Sequence, residues 1–233
     1  MRKIITVMFL CAALVPVVSA DAVDVIHFLI TPSYNGESGF LYAPSAYVAP
    51  QNALTMGLHK FVFKANYGIL NIVEAGLNFD FTSTSDVLAI LKAGDLNIKA
   101  RVLKEEDFFV SAAAGLEKLP LNLFQKINGQ DFNGYVVISK KLDDMDASLG
   151  LKKNFAGVRQ TSYLIADLSK VISDTILAVI EYDTGKFNAG IKISLNSNIN
   201  VEFFIHDLAH IKDSQELGTF LRQDFIFGIT YIQ

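Results

Sequence analysis

Apolar and polar residues alternate along much of the chain with a period of two, which places successive side chains on opposite faces of a β-strand. Residues 74–81 divide in this way into two faces, Ala75, Leu77, Phe79 and Phe81 against Glu74, Gly76, Asn78 and Asp80. The same alternation recurs in 95–102, 145–152 and 186–195. The pattern therefore predicts an all-β fold built from consecutive strands.

Ten strands are predicted, many of them close to the about 9 to 11 residues that a tilted strand needs to cross a bilayer. Their ranges are 53–64, 68–82, 94–104, 106–116, 132–141, 144–154, 174–183, 186–195, 198–207 and 223–232. Residues 24–31 and 161–168 are further candidates, although 161–172 also fits a short amphipathic helix. We therefore expect a closed antiparallel up-and-down transmembrane β-barrel of about ten strands, with ten to twelve possible.

The clearest hairpin is predicted near the C-terminal end, where Asp183-Thr184-Gly185 supplies the glycine that a tight turn favours. The next connection, 196–198, is also short. Outer-membrane barrels usually alternate short turns with longer loops, so two successive short connections depart from the simple pattern.

The first twenty residues resemble an export signal, with Arg2 and Lys3 before an apolar stretch and small residues at the predicted cleavage site. We expect a cleaved signal peptide at 1–20, an N-terminal segment at 21–52 and one barrel domain at 53–233. No later segment has the ~20 uninterrupted apolar residues of a membrane helix. The only cysteine, Cys11, lies within the predicted signal, so neither a disulfide nor a lipid anchor is expected.

Alternation alone does not say which face points inward, because a soluble barrel hides its apolar face whereas a membrane barrel displays it. The polar phase repeatedly carries glycine, which would relieve crowding in a narrow lumen. These glycines are Gly76, Gly115, Gly150, Gly190 and Gly228. We therefore expect apolar residues to face lipid. The alternative is a soluble periplasmic barrel that binds an apolar ligand, which the absence of tryptophan and the terminal Gln233 favour.

Charged residues of both signs in the polar phase predict a network of ion pairs inside the lumen. The candidate residues are Glu74, Lys99, Arg101, Asp146, Lys152, Glu181, Asp183, Lys192 and Glu202. Glu181 and Asp183 could instead form a sugar-contacting or catalytic carboxylate pair, and Lys99 with Arg101 could attract anionic glycans. We favour the structural interpretation for both pairs.

Other chemistry finds little support in the sequence. His206 and His210 have a spacing known from metal sites, but no third ligand follows at a recognisable distance. No nucleophile elbow, phosphate loop or dinucleotide fingerprint is present. A net charge of -4 disfavours a nucleic-acid partner. We therefore expect no enzyme activity, no metal and no cofactor.

Several short motifs follow one another along the chain. They are Gly39-Phe40-Leu41 before Pro44-Ser45-Ala46, Asn97-Ile98-Lys99-Ala100-Arg101 before Ala112-Ala113-Ala114-Gly115-Leu116, Tyr135-Val136-Val137-Ile138-Ser139-Lys140-Lys141, and Glu181-Tyr182-Asp183 before Phe187-Asn188-Ala189-Gly190. With these motifs in this order, the chain resembles the YjbH-like family of outer-membrane barrels over most of its length after residue 20.

The resemblance implies a bacterial outer-membrane protein that supports exopolysaccharide production or export. Outer-membrane lipid is then an expected partner, together with exopolysaccharide or its secretion machinery. The alternative within the same fold is a general porin or structural envelope barrel without a glycan role.

Overall fold

A computed structural model describes residues 25–81, 94–121, 132–155, 161–209 and 224–233. These described residues include two short helices, α1 (Val25–Leu29) and α2 (Glu105–Phe108). The strands are β1 (Leu54–His59), β2 (Val62–Ile69), β3 (Val73–Asp80), β4 (Asp95–Leu103), β5 (Ser111–Pro120), β6 (Asn133–Leu142), β7 (Met145–Asn154), β8 (Ser162–Ser173), β9 (Ile176–Asp183), β10 (Lys186–Ser194), β11 (Ile199–Ile205) and β12 (Phe225–Ile232).

The twelve strands form one closed antiparallel barrel in which each strand pairs with its neighbours in the sequence. Closure comes from β1 and β12, where Thr55 lies opposite Ile232 and His59 lies opposite Gly228. The predicted up-and-down barrel is confirmed, and its strand number is the upper end of the predicted range. A closed barrel has no free edge, so every strand satisfies its backbone groups on both sides.

Four details of the predicted strands are wrong. The range 68–82 contains a turn, because β2 ends at Ile69 and β3 begins at Val73. The range 53–64 contains a hairpin, because Lys60 and Phe61 take positive φ values of 45° and 68° and reverse the chain without any glycine. The candidate strand at 24–31 is instead α1. The predicted strand 106–116 begins only at Ser111, since α2 precedes it. The candidate at 161–168 is confirmed as a strand, β8, and not a helix.

The connections differ in length between the two ends of the barrel. At one end, the short-connection end, the links are 70–72, 104–110, 143–144, 174–175 and 195–198. At the other, the long-connection end, they are 60–61, 81–94, 121–132, 155–161, 184–185 and 206–224. The predicted hairpin turn at Thr184 and Gly185 lies at the long-connection end, with φ values of 52° and 85° that match a type I′ turn.

The barrel exposes its apolar phase and buries its polar phase. In β7, Leu149 and Leu151 are 50% and 58% exposed, whereas Lys152 beside them is 1% exposed. The outward phase of the other strands is mainly apolar as well, so the expectation that apolar side chains face outward is confirmed. A soluble barrel would bury these leucines, and that alternative is therefore wrong. Among the described residues, no helix is long and apolar enough to cross a membrane.

Candidate functional site: the filled lumen

The lumen is occupied by the chain's own residues 25–49, which we call the inner segment. Nearly all of its side chains are buried. Ile26 and Tyr47 lie beside Arg101 and Asp143 at the short-connection end. Between them, Tyr42 reaches the long-connection end, where its ring centroid is 4.5 Å from that of His206. The inner segment therefore enters and leaves through the same end of the barrel.

Two wall carboxylates bind the backbone of the inner segment. Glu181 accepts hydrogen bonds from the N–H groups of Leu41, Tyr42 and Ala43 at 2.8 to 2.9 Å. Glu74 accepts from the N–H and hydroxyl of Ser38 at 2.8 and 2.7 Å, and from the N–H of Ala49 at 2.9 Å. Hydrogen bonds to an ionised acceptor are among the stronger ones, so each carboxylate fixes one bend of the segment.

Three wall lysines complement these carboxylates by donating to backbone carbonyls. Lys192 Nζ donates to the carbonyls of Phe28 and Gly39 at 3.1 and 3.0 Å, and lies 3.4 Å from the Glu202 carboxylate. Lys99 Nζ donates to the Ser38 carbonyl at 2.8 Å. Lys64 Nζ donates to the carbonyls of Ser33 and Tyr34. Lumen charges thus replace water as partners of the irregular backbone, which a buried loop requires.

Further wall groups bind the middle of the segment and its C-terminal part. Asn66 donates to the Gly36 carbonyl at 2.8 Å, and Asn78 donates to the Asn35 carbonyl at 2.6 Å. Near the short-connection end, the Tyr47 hydroxyl donates to the Asp146 carboxylate. The segment is therefore bound along its whole described length.

One sector of the lumen is apolar. Five inward side chains of β9, β11 and β12 form a buried cluster with Phe28, Leu29, Phe40 and Leu41 of the inner segment, namely Leu177, Val179, Phe204, Ile226 and Ile232. An open water-filled lumen would expose these side chains at a cost of roughly 25 cal/mol per Å². The wall is therefore shaped to be covered by this segment.

A second sector, on β5, β7, β8 and β9, is acidic. Lys152 Nζ lies 3.2 Å from the Glu117 carboxylate and 3.1 Å from that of Asp183. Asp167 is buried on the neighbouring strand, and its two oxygens accept no hydrogen bond from the described residues. Glu37 of the inner segment faces Glu117 and adds a further carboxyl group. One lysine is thus surrounded by more carboxyl groups than it can neutralise.

The nine predicted network residues all belong to the inward phase. The structure brings six of them together in three ion pairs, Glu74 with Lys99 at 3.8 Å, Lys152 with Asp183 at 3.1 Å, and Lys192 with Glu202 at 3.4 Å. Arg101 lies apart from them near the short-connection end and donates to the Asn71 carbonyl at 2.6 Å. Asp146 and Glu181 contact the inner segment.

The alternative of a sugar-contacting or catalytic pair finds no substrate cleft between Glu181 and Asp183 in the described structure. Glu181 is fully buried and engaged by backbone N–H groups and by Asn188, while Asp183 is engaged by Lys152. Lys99 is likewise turned toward the inner segment, away from any solvent-filled path. The contacts of these residues are therefore those of structural groups.

At the long-connection end, His206 follows directly after β11. Burial lowers the pKa of His206 to about 4, and the nearby Lys186 ammonium acts in the same direction. Lys186 Nζ lies 3.0 Å from His206 Nε2, which accepts its hydrogen bond in the neutral ring. His210 falls outside the described residues. Within the described part of the chain, no group of three or more potential metal ligands occurs.

Glycine makes the close approach of segment and wall possible at one position in particular. A Cβ atom at Gly68 would lie 2.0 Å from the Pro50 carbonyl oxygen and 2.4 Å from that of Ala49. Both atoms belong to the backbone where the inner segment leaves the lumen, so they cannot move aside cheaply. The inward glycine at this point is a requirement of the filled barrel.

Similarity to known proteins is found among solved structures. No protein-family model matches the chain, and no curated protein matches it. A KdgM porin matches with a TM-score of 0.48 and 10% identity, covering 77% of this chain and 96% of the porin. A KdgM porin in complex with disordered oligogalacturonate matches with a TM-score of 0.46 at the same identity and coverage. The barrel assignment rests on this chain's own strand pairing, and the YjbH-like resemblance stays a prediction.

Sequence reasoning missed the inner segment itself. The stretch 31–50 has no period of two and is rich in glycine, proline and serine, which is typical of a loop. One feature of the sequence did point to such a segment: the polar phase carries many charged residues, and charged side chains inside a narrow barrel need partners. Several of the wall residues that bind the segment were also missed, among them Lys64, Asn66, Asn78 and Ser139.

Proposed function

We propose that this chain is a non-enzymatic outer-membrane channel protein whose lumen is closed at rest by its own inner segment. The observation that carries the proposal is that wall carboxylates and lysines bind the segment's backbone directly. A permanently open porin would present such groups to water. The predicted signal peptide and the inverted barrel support export to the outer membrane.

The path of the segment supports closure that can be reversed. Both of its ends lie at the short-connection end, where Pro50, Gln51 and Asn52 are exposed. Withdrawal through that end therefore requires no part of the chain to thread through the barrel. Short connections face the periplasm in outer-membrane barrels, so the segment would leave toward the periplasm.

Planar bilayer recording tests the proposal. The full chain is expected to show little steady conductance, and a variant lacking residues 25–49 is expected to conduct continuously. Heat-modifiable gel mobility verifies that each protein has formed a barrel. Steady conductance of the full chain would contradict closure by the segment, whereas a folded deletion variant that does not conduct would contradict the channel.

Location and glycan role require separate tests. Recovery of the protein with outer membranes after fractionation is expected. The link to exopolysaccharide comes from the YjbH-like resemblance alone, and the lumen contacts favour a channel without a glycan role. Unchanged bound and released exopolysaccharide after gene deletion would agree with that choice.

A further inference from the structure

The wall of the barrel carries more buried acidic than basic side chains. Among the described strand residues, seven carboxylates are buried in the lumen, Glu74, Glu117, Asp146, Asp167, Glu181, Asp183 and Glu202. Four lysines accompany them, Lys64, Lys99, Lys152 and Lys192. The inner segment adds Glu37, so its departure does not reverse the sign of the lumen.

The excess is concentrated on one side. Asp146, Asp167, Glu181 and Asp183 lie on the adjacent strands β7, β8 and β9, and Asp167 stands directly opposite Glu181 in the strand register. Polar atoms on this side remain without hydrogen-bond partners among the described residues, including both Asp167 oxygens and the Ser169 hydroxyl. The Asp167 and Ser169 side chains are buried on the inward face of β8 and form no hydrogen bond to the inner segment.

The lysines, in contrast, are largely committed to the segment or to carboxylates. Lys64, Lys99 and Lys192 donate to segment carbonyls. Lys192 also pairs with Glu202, and Lys152 lies between Glu117 and Asp183. No described lysine pairs with Asp167, which leaves the acidic wall as the least compensated surface of the lumen.

We propose that the lumen, once the inner segment is displaced, selects for cations, with Asp167 and its neighbours on β7 to β9 as the surface that attracts them. Rows of carboxylates in a pore attract cations and repel anions. The solute class is therefore small cationic solutes, from inorganic monovalent ions to amines. This inference rests on the proposed channel function and adds its selectivity.

Reversal potentials across a KCl gradient test the inference. Two preparations are used, the variant lacking residues 25–49 and a full chain with a protease site inserted between Gln51 and Asn52. The second assembles with its segment in place and is then cut and washed in urea, so the result does not depend on folding of the deletion variant. We expect a K⁺ over Cl⁻ permeability ratio of about 5.

Matched variants locate the selecting surface. Asp167→Asn keeps the shape of the side chain and is expected to lower the permeability ratio about twofold. Ser169→Ala, on the same face of β8, is expected to leave it unchanged. Equal effects of the two substitutions would overturn the role of Asp167.

The failures of the two proposals are distinguishable. An open conductance that prefers Cl⁻ or shows no preference overturns the cation inference and leaves the closed channel standing. Absence of conductance in both preparations, with heat-modifiable mobility intact, overturns the channel and the inference together.

Discussion

The Glu181 carboxylate accepts a hydrogen bond from the backbone N–H of Tyr42 at 2.8 Å, across 139 positions of the chain. The same carboxylate also binds the N–H groups of the residues on either side of Tyr42. One wall residue thus holds a bend of the inner segment near the long-connection end.

Glu181→Gln is expected to loosen the inner segment. Hydrogen bonds to a charged acceptor contribute about 1.5 to 3 kcal/mol, so displacement should become at least roughly tenfold more frequent. Ser45→Cys, in a chain whose Cys11 is replaced by Ala, provides the measurement, because Ser45 is fully buried and its thiol would react only after displacement. Asp167→Asn, which removes a buried carboxylate without a bond to the segment, should leave the labelling rate unchanged.

Lys192→Met is expected to destabilise the barrel. Lys192 is fully buried between Glu202 and three oxygen atoms of the inner segment. Removal of one partner of a buried ion pair costs about 3 to 5 kcal/mol. Urea unfolding in detergent micelles measures the change. Lys170→Met breaks the exposed pair with Asp144 and should alter the free energy of unfolding by less than about 1 kcal/mol.

Leu149→Arg tests whether the outer surface meets lipid. Leu149 is half exposed in the middle of β7, and an arginine on a lipid-facing surface near the midplane costs about 2 to 4 kcal/mol. Leu142→Arg, at the end of β6 beside a turn, should cost much less. Folding yield and unfolding in lipid vesicles measure both variants. Equal and small effects would indicate that neither leucine lies in a bilayer.

Gly68→Ala is expected to push the inner segment away from the wall. The added Cβ would lie 2.0 Å from the Pro50 carbonyl oxygen, and overpacking of this kind costs about 1 to 3 kcal/mol. The labelling rate at Ser45→Cys should rise. At Gly57 a Cβ would lie 3.2 Å from a Thr230 methyl group, so Gly57→Ala is the control with a milder contact.

Acidification is expected to weaken the contact between Tyr42 and His206. The pKa of His206 is about 4 in the folded protein and about 6.5 in a free histidine, so the folded state binds its proton less readily. Stability from this group is therefore present above about pH 6.5 and is lost as the pH falls toward 4. Labelling at Ser45→Cys, normalised to the unfolded chain at each pH, should rise with acid. His206→Phe keeps a ring beside Tyr42 and should flatten that response.

The barrel was predictable because alternation is a local property of each strand. Residues 74–81 and 186–195 show their two faces directly in the sequence. The hairpin at Lys60 and Phe61 was not predictable, because non-glycine residues rarely take positive φ. The sheet closes where β1 pairs with β12. That pairing depends on the number and tilt of all the strands, which cannot be read from the local sequence of any one strand.

The lumen was predictable in composition but not in its partners. Charged residues such as Lys99 and Lys192 could be placed inside from their phase alone. Because the polar phase carries charges of both signs, the sequence predicted ion pairs between wall residues. In the structure, both lysines also bind carbonyls of the inner segment. Such contacts join residues far apart in the chain, and a backbone carbonyl leaves no signature in the sequence.

The pairing of β1 with β12 gives the chain an order of assembly. The ring is completed only when the last strand arrives, by which time the residues ahead of β1 have long been synthesised. The barrel can therefore close around an inner segment that is already present and that supplies hydrogen-bond partners to the charged side chains of the lumen. A barrel that closed without the inner segment would instead have to hydrate the four lysines and seven acidic side chains of its described wall during insertion.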